Sequence, residues 1–397
     1  MNALMNTPPR AAMCCSWCFW MLLFVVLDAC QSPQPPCSLY EASFQTEPAT
    51  RVLVERKGGS WVVRNGEERV AMTALGGGTH AVPVFGGTWS GEWEGEEWVG
   101  VWTDSLRPGD YRVPVRLQPL RACSPIKELP LADTSYWTTT EGVLCVVQQE
   151  DSLWGTISTP TGDYRFLSGK RNFNTLVFNA FDGAHLFRFE AQLKGDSLVN
   201  GEFLSGTHYR TPFSGKRMSG GPREWKSSTQ LPSSRNLTFQ GVTTSGDSVR
   251  WTEGELLSLG KTALVLDVMG TWCPNCMDEA RLLRELASDY PEVQFLSLAF
   301  ERSAGESALQ RLQQFRTEMD LPWDVWLGGR ASKAVAADVV SVVDTVHSFP
   351  TTLFWPLDGE PTVHKGFNGP ATGEGYEVER AFFRSELNRI SGRSENH

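Results

Sequence analysis

The chain has 397 residues, 41% of them hydrophobic and 21% charged, with nine cysteines and a formal net charge of −10. That length suggests two or three domains, and the composition excludes wholesale disorder. The acidic balance argues against a nucleic-acid binder; a single strongly apolar run excludes a polytopic membrane protein, and nine cysteines are too few for a disulfide scaffold of this size.

Met13 to Leu27 is that apolar run. A spanning helix needs roughly twenty residues, so the shorter run fits the h-region of a signal peptide behind Arg10. Leu27-Asp28-Ala29-Cys30 then resembles a bacterial lipobox. The resemblance implies a signal peptide over residues 1–29, and lipidation of Cys30 as a membrane anchor. An unlipidated signal peptide and an uncleaved anchor are the alternatives. Residues 30–50, which open on Gln31-Ser32-Pro33-Gln34-Pro35-Pro36, read as an extended tether. The expected location is the bacterial cell envelope, facing the periplasm or the exterior. Paired thiols there are open to oxidation. Cys123 and Cys145 then pair with each other, or Cys37 pairs with one of them.

Residues 51–218 follow a β grammar. Val52-Leu53-Val54, Ser60-Trp61-Val62-Val63, Gly142 to Val147 and His185 to Phe189 are short, β-branched and aromatic. Asn65-Gly66, Gly86-Gly87, Thr161-Gly162-Asp163 and Phe181-Asp182-Gly183 punctuate them. An all-β sandwich or barrel is expected. Tyr164, Arg165, Phe181, Asp182, His185 and His208 put polar and aromatic groups near its turns, mostly as ordinary turn chemistry.

Residues 219–236 are rich in Ser, Gly and Pro and read as a linker. Residues 237–397 hold 14 Lys and Arg against 23 Asp and Glu, nine of the chain's ten net negative charges. This half alternates strand and helix. Thr262 to Met269 and Val293 to Phe300 read as buried strands. Met277 to Leu286, Ser307 to Met319 and Tyr376 to Ile390 read as helices. Thr351 to Trp355 and Thr362 to His364 read as a hairpin turning at Asp358-Gly359. This is an α/β layout.

Trp272-Cys273-Pro274-Asn275-Cys276 falls between the first buried strand and the helix after it. A helix N-terminus stabilises a thiolate at Cys273 through free N–H groups and the dipole. Cys276 lies one turn later on the same face. Cys273 is thus suited to attack a disulfide, and Cys276 to resolve the mixed disulfide that results. Pro274 fixes φ at an early helical position. A zinc half-site is disfavoured, because no second C-x-x-C or H-x₃₋₅-H accompanies the pair; no metal and no cofactor beyond the dithiol is expected.

Asp267, Gly270-Thr271-Trp272-Cys273-Pro274-Asn275-Cys276 and Ser348-Phe349-Pro350-Thr351-Thr352 together resemble the thioredoxin-like fold. Within it they are most similar to exported thiol-disulfide reductases of the TlpA and ResA type, over residues 237–395. The resemblance implies a thioredoxin-like domain over 237–397, with Cys273, Cys276 and Asp267 catalytic. Trp272, Pro274, Phe349 and Pro350 would then face substrate, with a cis Phe349-Pro350 bond. Asp267 stands where thioredoxins bury an acid, and would exchange a proton with Cys276. Glu279 is expected to be a helix-terminus charge. The long separation of Cys276 from Pro350 implies a helix-bearing insertion, placed at Glu301 to Met319 and Leu321-Pro322-Trp323. Gly366-Phe367-Asn368-Gly369-Pro370 reads as a loop beside the substrate groove.

The expected function is therefore reduction of disulfides in other exported proteins, with electrons from a membrane thiol donor. Two alternatives stand beside it. One is a thiol peroxidase, although Thr271 lies two residues before Cys273 rather than the three that a peroxiredoxin motif requires. The other is a lipoprotein whose β-domain binds a ligand or partner.

Overall fold

The computed structural model describes residues 39–107, 109–120, 133–221, 228–231, 236–340 and 342–393. The apolar run, Cys30, Cys37, Cys123 and most of the 219–236 linker lie outside them. No helix among the described residues is long and apolar enough to cross a membrane.

The β half holds two sheets. The first is a closed barrel of eight antiparallel strands, from Leu39–Phe44 to Arg112–Pro119. It closes where Tyr40 to Phe44 pair with Val115 to Pro119. The first strand is a correction, because residues 30–50 were expected to be tether. Leu39–Phe44 alternates, with Tyr40, Ala42 and Phe44 buried inside the barrel. The interior is aromatic: Phe44, Trp61, Trp89, Trp98 and Trp102 fill it. Edge-to-face contacts such as Trp61 against Trp98 at 4.7 Å set their packing.

The second sheet has nine antiparallel strands, running from Asp133–Thr139 to Tyr209–Arg217. It is plugged into the barrel by Phe181, which stacks on Phe44 at 5.5 Å and meets Trp102 at 5.0 Å. Asn65 on the barrel holds that residue by its backbone, donating to the Phe181 carbonyl and accepting from its N–H. Cys145 on this sheet is a free thiol. Cys37 and Cys123, the other two cysteines of the sequence alternatives, lie outside the described residues.

The C-terminal unit has the α/β layout expected of it, a mixed sheet with helices on both faces. Its eight-stranded sheet is centred on Ala263–Met269, every residue of which is buried. Val293–Glu301 and Asp324–Arg330 follow on one side in parallel. Thr351–Pro356 and Thr362–Lys365 lie on the other side, antiparallel. The central strand divides its side chains between two cores. Val265 and Met269 face the helices Pro274–Ala287, Glu306–Glu318 and Glu374–Ser391, while Leu264, Leu266 and Val268 face Leu256, Ala336 and Val340. Two features were not anticipated. Ser228–Gln230, placed in the linker, is the edge strand beside Thr362–Lys365. A hairpin of Thr238–Val242 and Ser248–Thr252 extends the opposite edge.

Candidate redox site

The site begins where the central strand ends. A buried hydrophobic strand delivers Gly270-Thr271-Trp272 to the start of the Pro274–Ala287 helix. Cys273 is the N-cap residue of that helix, with extended backbone, and Pro274 occupies the first turn. Cys273 and Cys276 are joined as a disulfide, with Cα atoms 5.3 Å apart. The Cys276 N–H donates to the Cys273 sulfur at 3.2 Å. The same N–H would stabilise a thiolate there after reduction. Cys276 is fully buried, whereas Cys273 keeps 6% of its surface exposed. The two sulfurs therefore differ in accessibility, in the order that the expected attacking and resolving roles require.

The turn before the cysteines is pinned by charge. Thr271 donates to the Glu301 carboxylate from its N–H at 2.8 Å and from its hydroxyl at 2.9 Å. Arg311 donates in turn to the Thr271 hydroxyl and carbonyl. Trp272 donates from its indole to the Phe300 carbonyl and meets the Phe349 ring edge-on at 5.6 Å. The Phe349-Pro350 bond is cis. The Phe349 carbonyl oxygen lies 3.5 Å from the Cys273 sulfur.

Two acids lie buried in this core. Asp267 is 1% exposed and accepts from the Ser297 hydroxyl at 2.9 Å. Burial pushes its carboxyl pKa upward, against the Ser297 bond. Glu279 corrects an expectation: instead of a helix-terminus charge it is 0% exposed and accepts from the Thr352 hydroxyl. Burial, then the neighbouring Asp267, hold it well above the usual carboxylate range. One oxygen of each acid has no hydrogen-bond partner. Neutral carboxylic acids fit such an environment; a pair of charged carboxylates does not. Glu279 stands three residues after Cys276, one helical turn on. That spacing is the sequence signal that places it on the face of Cys276.

The β-sheet reaches into the same site. Arg165 forms ion pairs with Asp278 on the Pro274–Ala287 helix and with Glu68 on the barrel, and donates to the Pro274 carbonyl at 3.2 Å. Asn275, inside the cysteine motif, donates to the Asp163 carbonyl. The Asp163 carboxylate accepts from the Gly369 N–H in the loop after the hairpin. Burial, then nearby Asp278, raise Asp163 to about 6. A cleft of about 440 Å³ lies between the sheet and the disulfide. Trp272, Cys273, Pro274 and Phe349 line one wall; Tyr164, Arg165, Asp182 and His185 belong to the other. Of the four residues expected to face substrate, Pro350 alone does not line the cleft and instead supplies the cis bond. Phe181 is turned into the barrel, and His208 sits beside Arg107. Among the described residues no group of three His, Cys, Asp or Glu side chains is arranged to hold a metal.

No protein-family model matches the chain, and no curated protein sequence matches it. Solved structures are similar to part of it. One is a secreted disulfide oxidoreductase of Mycobacterium tuberculosis, 20% identical, covering 38% of this chain and 96% of its own, with a TM-score of 0.28. A thiol:disulfide interchange protein of the thioredoxin family from Chlorobium tepidum is 17% identical over 43% of this chain and 100% of its own, with a TM-score of 0.26. An exposed lipoprotein thioredoxin of Streptococcus pneumoniae is 17% identical over 38% and 99%, with a TM-score of 0.28.

Proposed function

We propose that this chain is a thiol-disulfide oxidoreductase that reduces disulfides in other exported proteins, in the manner of the TlpA type. The observation that carries this reading is the Cys273–Cys276 disulfide at a helix N-terminus, with the outer sulfur held by the Cys276 N–H and facing a cleft. In the reduced state Cys273 is the thiolate. It attacks a substrate sulfur, the substrate S–S bond breaks, and the leaving sulfur departs as a thiolate that takes up a proton. Cys276 then gives up its proton and attacks Cys273. The second substrate sulfur leaves, and the Cys273–Cys276 disulfide is restored. Asp267 is suited to take that proton, because burial raises its carboxyl to about 7, where it still exchanges a proton near neutral pH, while the Glu279 carboxyl beside it is held well above the usual carboxylate range. A substrate strand would pair with the Phe349 carbonyl beside the sulfur. Trp272 and Pro274 would contact it from the same wall.

Electrons would return to the dithiol from a membrane thiol donor. Lipid at Cys30 would keep the chain near that donor, on the outer face of the membrane. The peroxidase reading has no observation in its favour, since the Thr271 hydroxyl is already engaged by Glu301 and Arg311.

Trapping tests the assignment. After reduction and mixing with a model disulfide, C276A should accumulate a mixed disulfide linked through Cys273, and C273A should not. Equal trapping by both variants would assign the attacking role wrongly; no trapping by C276A would sink the redox reading.

A further inference from the structure

We propose that the nine-stranded sheet is the specificity wall of the redox site, and that it admits a disulfide carried on a single extended peptide segment while excluding the same linkage on a folded protein surface. This rests on the redox reading above and names the substrate class that the site would take. An open dithiol site would let any protein surface approach. Here Cys273 keeps only 6% exposure, and the space before it is a cleft of about 440 Å³. That volume is in the range of sites that enclose small ligands. It suits a short stretch of chain, not a globular face.

The second wall is built, not incidental. The Asp182 side chain is buried and accepts from the N–H groups of Ala184 and His185 at 2.8 and 2.7 Å. Its other oxygen lies 3.1 Å from His185 Nδ1. Phe187 stacks against that ring at 4.9 Å, nearly parallel. The imidazole therefore stands fixed at the cleft, opposite Trp272 and Phe349. The wall is also locked in place. A Cβ on Gly162 would meet the Asn275 side chain at 2.1 Å, and one on Gly366 would meet the Thr161 backbone at 2.4 Å. The barrel into which the sheet is plugged is held as well: its Val84 and Phe85, with Ala184 of the sheet, join the buried cluster that holds Cys273 and Met277. The Val84 N–H donates to Glu318 at 2.6 Å. The sheet cannot swing aside to receive a bulky partner without breaking these contacts.

The test uses the full chain, reduced beforehand and freed of reductant, in single turnover. One probe is a linear cysteine peptide joined by a disulfide to a fluorophore. The other is a folded single-domain protein carrying the same linkage on its surface. Each turnover oxidises Cys273 and Cys276 to their disulfide and releases two thiols, one from the carrier and one from the fluorophore. The peptide should react faster by at least about tenfold. T161W, at an exposed position on the wall, should slow the peptide reaction by narrowing the cleft. H185A with F187A should raise the folded carrier's rate relative to the peptide's. Equal rates for both carriers in the unaltered chain would overturn the specificity wall and leave the redox reading standing. No reaction with either would overturn both. Because the ratio is read, a variant that merely folds poorly lowers both rates and is distinguished.

Discussion

Glu279 shows how a single side chain can change meaning once its surroundings are known. In sequence it is an acid in the first turns of a helix, a position where the dipole favours negative charge. In the fold it has no exposed surface, and its oxygen faces Thr352 on the adjacent strand. Cys276, Glu279, Ala280 and Leu283 are all buried on that helix. Their spacing of three and four residues puts them on one face, but Met277 and Asp278 are buried as well, so period alone does not single Glu279 out. A carboxyl whose folded pKa is raised binds its proton in the folded state after the unfolded chain has released it. Its contribution to stability is fully present below the ordinary carboxyl range, and is lost as pH rises through the raised value. E279Q keeps an acceptor for Thr352 and cannot ionise. It should therefore match the parent near pH 4 and melt a few degrees higher at pH 8. Thermal unfolding of the oxidised protein at the two values checks this. A difference that is the same at both would contradict the buried-acid account.

At the level of elements, Arg165 joins all three units. Its guanidinium touches Glu68 on the barrel and Asp278 on the Pro274–Ala287 helix, while its backbone belongs to the bend after Gly162-Asp163. The three side chains are 5–10% exposed. Removing one partner from a buried pair leaves uncompensated charge, at about 3–5 kcal/mol. R165A should lower stability by about that amount in urea unfolding; a loss under about 1 kcal/mol would mean that water already screens the pair. Nothing local forecasts this contact, because Arg165 looks like any turn residue until the helix arrives beside it. The same limit explains the barrel. Alternation reveals which residues of Leu39–Phe44 point inward, but closure depends on pairing with Val115 to Pro119 far along the chain. The Pro-rich run before Leu39 drew the tether boundary too far, past an alternating strand. Local grammar suffices for the cysteine motif and its flanking strand and helix, since a buried apolar run, a turn and a helical period lie within a few residues of one another.

Taken whole, the molecule encloses the Cys273–Cys276 disulfide between the C-terminal α/β unit and a β half that touches it at several separated points. The least yielding of these is Gly366 against Thr161. A Cβ there would meet backbone carbonyl, oxygen and Cα atoms at 2.4–2.6 Å, and backbone cannot step aside as a flexible side chain can. Gly366 also has φ of +75°, where any side chain is strained. Gly373, a few residues on, has φ of +58° with open space around it. Alanine at the second position therefore carries the backbone strain without the clash, which makes it the control for the first. If the two halves are held together at this seam, G366A should force them apart and G373A should not. In the reduced protein, Cys273 of G366A should react severalfold faster with a bulky alkylating reagent, while G373A should stay close to the parent. The difference between the two variants isolates steric separation from local strain. Equal alkylation rates in both would show that the cleft does not depend on the seam, and that the sheet shields the cysteine by some other contact.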